Sequence, residues 1–189
     1  MNPLYGVFGA VGNWPDWERF FDTSRNGLIK SFLGLLICFP SLWLVMVGLE
    51  TQRASLAGTE PPVFQVAPFG TIIGFWLLAF PITAGVIALL MQRMERFALW
   101  LVARNWAVTW LCLVLGGVFL AVRYAGLPTI MGYGALLAAY LGLLPIDIRL
   151  AQRAGGFPLM TAILVGCIIV STGMIVLLTG LLQVIQPPA

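Results

Sequence analysis

The chain has 189 residues, of which 60% are hydrophobic and only 9% are charged, and its formal net charge is +3. Soluble domains carry about 25% charged residues, so this composition excludes a globular protein with an ordinary water-facing surface. The length allows one domain, and the Lys and Arg residues form no patch or stripe of the kind that binds nucleic acid. We therefore expect an integral membrane protein whose main partner is the lipid bilayer.

The first segment, residues 1–27, is predicted to be cytoplasmic. It has no basic start and its apolar stretch is interrupted by glycines, so it does not resemble a cleaved signal peptide. Asn13 is placed to cap a helix on which Trp17, Phe20 and Phe21 share one face. We expect this helix to lie on the cytoplasmic leaflet with its aromatic side chains at the acyl boundary. The alternatives are that this segment is the water-exposed beginning of the first span or that the helix packs on the membrane domain.

Five segments form the predicted membrane domain, residues 28–184, and each is long enough to cross a bilayer, which takes about 20 residues. In lipid every backbone polar group needs a partner within its segment, so we expect an all-α bundle of five transmembrane helices. Pro40 and Pro81 are expected to kink the first two. The predicted spans are 28–49, 70–91, 106–122, 129–148 and 159–184, followed by a short external tail, 185–189.

A second amphipathic segment, residues 92–105, joins the second and third spans. Its apolar stripe consists of Phe97, Trp100 and Leu101. We expect this segment to lie at the cytoplasmic interface, as the first one does. The third span could instead begin near Phe97, which would bring Arg104 into the headgroup zone or just beneath it.

The distribution of basic residues predicts the orientation. Cytoplasmic loops of membrane proteins carry an excess of Lys and Arg, and a cytoplasmic N-terminus puts eight of the ten basic residues inside. Five spans then leave the C-terminus outside. The inner residues are Arg19, Arg25, Lys30, Arg93, Arg96, Arg104, Arg149 and Arg153, and the outer residues are Arg53 and Arg123.

Small residues recur along the last two spans, every fourth position in one and every seventh in the other. Such repeats let helices approach closely. We expect these residues to pack within the bundle, and a dimer interface is the alternative. The residues are Gly134, Ala138 and Gly142 in the fourth span and Gly166, Gly173 and Gly180 in the fifth.

Asp147 lies near the cytoplasmic end of the fourth predicted span. Its own helix offers no basic residue at i+3 or i+4, so a counter-charge has to come from another cytoplasmic helix end. The basic residues available there are Arg104, Arg93 and Lys30. We expect Asp147 to form an interfacial salt bridge with a neighbouring arginine, Arg104 being the first candidate, that joins two helix ends. An ion or proton relay is the alternative.

Residue types that most enzymes need are missing from the sequence. There is no histidine, and the three cysteines lie in three different predicted spans with no CxxC pair. There is no phosphate-binding glycine motif, and Asp147 has no second carboxylate with which to form a catalytic dyad. We expect a protein that is not an enzyme and that holds no cofactor or metal.

The fourth span reads YGALLAAYLGLLP, and this string within a small five-span domain resembles the Yip family of Rab-interacting membrane proteins, specifically its short bacterial members. The likeness covers residues 28–184 and implies a non-enzymatic protein that organises or shapes membranes or supports other membrane proteins. Nine arginines against one lysine favour a bacterial inner membrane, where Rab partners are not expected. The residues that carry the likeness are Tyr133, Tyr140, Gly142, Leu143 and Pro145.

A small transporter, a channel or an accessory subunit of a transport complex is the alternative function. Transporters commonly contain repeated halves, broken helices and polar groups at mid-bilayer. The sequence has no internal repeat and few mid-span polar residues, whereas the two prolines could open a cavity. Self-association and other membrane proteins are the possible partners.

Overall fold

The computed structural model describes residues 2–60 and 66–185, which are almost entirely helical and contain no strand. Within these residues, five helices are long and apolar enough to span a membrane, so the predicted all-α class with five such helices is confirmed. The tail 186–189 lies outside the described residues. In chain order the elements are α1 (Pro3–Val11), a 3₁₀ turn (Trp17–Phe20), α2 (Arg25–Leu36), α3 (Cys38–Ala57), α4 (Val66–Leu90), α5 (Met94–Tyr124), α6 (Thr129–Arg153) and α7 (Leu159–Ile185).

The first long segment is interrupted between α2 and α3. Pro40 has no N–H to donate to the carbonyl of Leu36, and the chain makes a tighter turn at this point, in which the N–H of Ile37 donates to Gly34 O at 3.1 Å. The predicted disturbance at Pro40 is therefore present. Pro81, by contrast, lies within α4, which continues without interruption to Leu90.

The start of α2 is fixed by local hydrogen bonds. Ser24 caps the helix through its side-chain oxygen, which accepts from the N–H of Gly27 at 3.3 Å. The N–H of Ser24 in turn donates to Asp22 Oδ1 at 2.9 Å, and hydrogen bonds from Ser24 lower the pKa of Asp22.

Helix α5 begins at Met94, twelve residues before the predicted start of the third span at Trp106. The alternative start near Phe97 is close to the observed one, and Arg104 lies inside the helix. Trp100 and Leu101 are buried in the protein core, so the expected amphipathic interfacial segment is wrong. A one-sided apolar stripe suits a protein core as well as a lipid surface, and here α4, α6 and the N-terminal segment cover it.

Four helices, α4, α5, α6 and α7, pack in a ring in which each contacts the next and α7 contacts α4. Helices α2 and α3 pack along α5. The segment from α1 to the 3₁₀ turn covers the end of the bundle where α5 begins and α6 ends. We call this segment, residues 3–21, the N-terminal cap.

The glycines of α7 lie at close helix contacts, as predicted. A Cβ added at Gly166 would come within 2.6 Å of Ile148 on α6. Cβ atoms added at Gly173 and Gly180 would come within 3.2 Å and 2.7 Å of residues on α4. This repeat therefore serves packing within the bundle.

The small residues of α6 behave differently. A Cβ added at Gly134 or at Gly142 would have nothing within 4 Å, and Ala138 between them is exposed. The expectation that this stripe packs within the bundle is wrong. Helix α6 uses other residues, including Asp147 and Leu150, to contact its neighbours.

Candidate functional site

The N-terminal cap is part of the protein core. Ala10, Trp17 and Phe21 are between 0% and 5% exposed and belong to the same apolar cluster as Trp100 and Leu150. The prediction that the aromatic residues lie at the acyl boundary is therefore wrong for Trp17 and Phe21, which pack on the bundle instead. These rings complete an apolar contact with α5 and α6, and burial inside protein removes them from water as effectively as lipid would.

The predicted helix that starts after Asn13 is also wrong. Asn13 and Asp16 have positive φ angles of 62° and 50°, which end any regular helix there. A single 3₁₀ turn follows, on which Phe20 is half-buried. Helix α1, which the sequence analysis missed, has a recognisable signal in Asn2, whose side chain accepts a hydrogen bond from Leu4 N at 3.1 Å.

Two arginines tie the cap to the bundle. Arg153, the last residue of α6, donates to the carbonyl oxygen of Trp14 at 3.0 Å. Arg96, near the start of α5, forms a 3.0 Å ion pair with Glu18. The side chains of this pair are 43% and 50% exposed, and exposed pairs contribute little, so apolar burial is the main force that holds the cap.

Arg104 and Asp147 form the predicted salt bridge between α5 and α6, with Arg104 Nε 3.2 Å from Asp147 Oδ1. The pair was expected at the membrane interface, but it is buried inside the protein: the two side chains are only 6% and 0% exposed. The ring centroid of Phe80 on α4 lies 4.6 Å from the guanidinium carbon, in a cation–π contact that the sequence analysis missed. Asp147 Oδ2 is buried and has no hydrogen-bond partner in the part of the chain that the structure describes.

A second buried polar contact joins α2 to α5 beside this ion pair. Asn105 Nδ2 donates to Ser31 Oγ at 3.1 Å, and the Ser31 hydroxyl donates to Leu28 O at 2.8 Å. Thr109, one turn further along α5, donates to the carbonyl of Asn105 at 2.8 Å. Sequence analysis missed this contact, because single hydroxyl and amide groups in apolar helices give no signal of their partners.

A cavity of about 150 Å³ lies next to the ion pair, on the side away from the cap. The four ring helices and Leu42 of α3 surround it, and its walls are mostly apolar. The exposed side chain of Tyr140 forms part of the wall, so the cavity reaches the protein surface at α6. Other wall residues are Trp76, Arg104, Cys112, Ala139, Leu143 and Gly173.

The chemistry that this interior can perform is set by its charged pair. Among the described residues, no group of three or more His, Cys, Asp or Glu side chains is placed to hold a metal ion. Arg104 uses its Nε–H for Asp147, and its two terminal amino groups have no hydrogen-bond partner within residues 2–60 and 66–185. These groups can donate to an acceptor in the cavity.

Comparisons with protein-family models, curated proteins and solved structures found no match to this chain.

Proposed function

We propose that the chain is a five-span integral membrane protein of a bacterial inner membrane, with its N-terminal cap on the cytoplasmic side. The support for insertion is the apolar outer surface of the long helices, which is far larger than water-soluble proteins expose. Residues on this surface that are more than 60% exposed include Phe75, Ile82, Val114, Leu141 and Ile175.

The distribution of charge supports the orientation. The two arginines that tie the cap lie at one end of the bundle, and Arg93 in the turn between α4 and α5 lies close to the turn between α6 and α7 at that same end. Arg53 and Arg123 lie at the C-terminal ends of α3 and α5, away from the cap. The positive-inside rule then favours a cytoplasmic cap.

This orientation predicts the outcome of reporter fusions. Fusions after Arg96 and Arg153 should be active with a cytoplasmic reporter, and fusions after Gly58 and Ala189 should be active with a periplasmic reporter. Fluorescent protein and alkaline phosphatase fusions at each site measure this directly. A cytoplasmic signal at Ala189 would contradict the five-span topology and, with it, the Yip resemblance.

We infer that the protein is not an enzyme and that it supports other membrane proteins through helix contacts, which is the role that the Yip resemblance implies. One contrast carries this inference: the glycines of α7 are used inside the bundle, whereas the Gly134–Ala138–Gly142 stripe of α6 lies open on the least buried of the five long helices. Close-packing residues on a free face suit a helix from another chain or from a second copy.

Membrane shaping, the other role that the Yip resemblance implies, has lost its physical basis. It depended on an aromatic wedge in one leaflet, and Trp17 and Phe21 are buried against α5 and α6 instead. The Yip resemblance itself remains a prediction.

Bulky residues on the α6 stripe should abolish association without unfolding the protein. We expect Gly134→Leu with Gly142→Leu to remove co-purifying membrane proteins or dimers in affinity purification and native gels, with stability changed by no more than about 0.5 kcal/mol. The matched control is Gly117→Leu, because Gly117 on α5 also faces open space. Unchanged association in the double variant would contradict the proposed role of α6.

One observation favours transport as the second candidate function. The Arg104–Asp147 pair lies beside a cavity within the helix ring, and charged residues inside membrane domains often mark substrate pathways. Against conduction, the core between the pair and the cap is tightly filled, with Trp100, Leu150 and Ala154 at most 1% exposed. Solute flux across the membrane of vesicles reconstituted with the protein would favour transport if the substitution Asp147→Asn abolished that flux.

A further inference from the structure

The cavity within the helix ring has the dimensions and the polar group of a binding site. Its volume of about 150 Å³ matches that of an engineered apolar cavity in another protein that admits benzene. A single six-membered ring therefore fits the cavity, and substituents of the ring can extend through the opening at α6. Trp76 and Tyr140 contribute aromatic surface to its wall, which suits contact with a planar ring.

The base of the cavity offers hydrogen-bond donors that the protein does not use. Arg104 is 5% exposed, and its guanidinium has five N–H donors. One of them donates to Asp147, and the terminal amino groups have no partner among the described residues. Because Arg104 forms part of the cavity wall, an acceptor group that enters the cavity can accept a charge-assisted hydrogen bond from these amino groups.

The charge of the ligand follows from Asp147. Its carboxylate lies 3.2 Å from Arg104 Nε and already balances the guanidinium. An anionic ligand would place a second negative charge close to Asp147, which is unfavourable in a buried site. An uncharged acceptor, such as a ring carbonyl, carries no such cost.

We propose that the cavity between α4, α5, α6 and α7 binds an uncharged ring compound that bears a carbonyl group, a quinone-type headgroup, with the carbonyl accepting from Arg104. The ligand enters from the lipid bilayer at the surface of α6, where the exposed side chain of Tyr140 forms part of the cavity wall. The proposal goes beyond the supporting role suggested above and does not depend on any partner protein.

Two ring compounds of matched shape test the acceptor. Duroquinone carries two carbonyls and durene is the same methylated ring without them. We expect duroquinone to bind the detergent-purified full chain at least about tenfold more tightly than durene, measured for both compounds by isothermal titration calorimetry and by the shift in thermal denaturation. Benzoate, the anionic probe, should bind more weakly than duroquinone. Equal binding of duroquinone and durene, or tighter binding of benzoate, would overturn the proposal.

Variants of the chain locate the site. Ala139→Phe fills the cavity and should abolish binding of both rings, whereas Leu137→Phe on the exposed side of α6 should leave it intact. The double variant Arg104→Met with Asp147→Leu should bind durene as before and lose the preference for duroquinone. Should Ala139→Phe fail to fold, Leu143→Phe narrows the same cavity. Binding that survives in every folded, cavity-filled variant would overturn the assignment.

Discussion

Replacing Asp147 with asparagine should lower the free energy of unfolding by about 3 kcal/mol, because breaking a buried ion pair leaves the remaining charge uncompensated. Arg104 is 5% exposed and its counter-charge comes from Asp147 alone among the described residues. The Phe80 ring lies over the guanidinium and the site is almost fully buried. Water therefore cannot replace the lost carboxylate. Denaturant or thermal unfolding in detergent, followed by tryptophan fluorescence, measures the loss.

Two controls separate burial from charge. The double variant Arg104→Met with Asp147→Leu should be closer to the wild type than either single variant, since removing both charges also removes their desolvation cost. Glu50→Gln breaks the Arg53–Glu50 pair, whose arginine is 70% exposed, and should cost at most about 1 kcal/mol. A fully stable Asp147→Asn protein would contradict the buried pair. A stable Asp147→Asn protein without cellular function would favour the relay hypothesis instead.

The five long helices and the ion pair could be predicted because each depends on a one-dimensional signal. An apolar run of sufficient length has to be a helix in lipid, and alternation of the helix ends brings the start of the third span next to the end of the fourth. This narrowed the partner of Asp147 to Arg104, Arg93 or Lys30, and the structure selects Arg104. Pro40 gave a comparable local signal, since a missing N–H removes one helical hydrogen bond, although the same signal at Pro81 did not interrupt α4.

The remaining features could not be predicted because they depend on which face of a helix meets which neighbour. The apolar faces of Trp17 and Trp100 indicate only that these residues avoid water, and lipid and protein satisfy that condition equally well. The small-residue repeats of α6 and α7 both predict close helix packing, yet Gly166 is packed and Gly134 is not. The cavity is a property of five helices together, so no single stretch of sequence contains it.

Truncating Trp17 to alanine should release the N-terminal cap, and the comparison with Trp14 makes the effect specific. Trp17 is 3% exposed, packs edge-on against Phe21 at 5.8 Å and lies within 5.9 Å of the Arg153 guanidinium. A buried Trp→Ala change costs about 3–5 kcal/mol. Trp14 is 48% exposed, and its contact with Arg153 is made by its backbone carbonyl, which alanine retains.

The cap should detach locally before the bundle unfolds, because its polar ties are exposed and weak while Trp17 and Phe21 supply most of its buried apolar surface. We therefore expect trypsin to cleave after Arg19 in Trp17→Ala at least about 50-fold faster than in the wild type, because the lost packing lowers the free energy needed to detach the cap. Trp14→Ala should be cleaved at nearly the wild-type rate. In lipid nanodiscs the same contrast should hold, because protein and not lipid covers Trp17. Protection of Arg19 that persists in Trp17→Ala but depends on the presence of lipid would restore the interfacial position for this segment and remove the cap from the core of the protein.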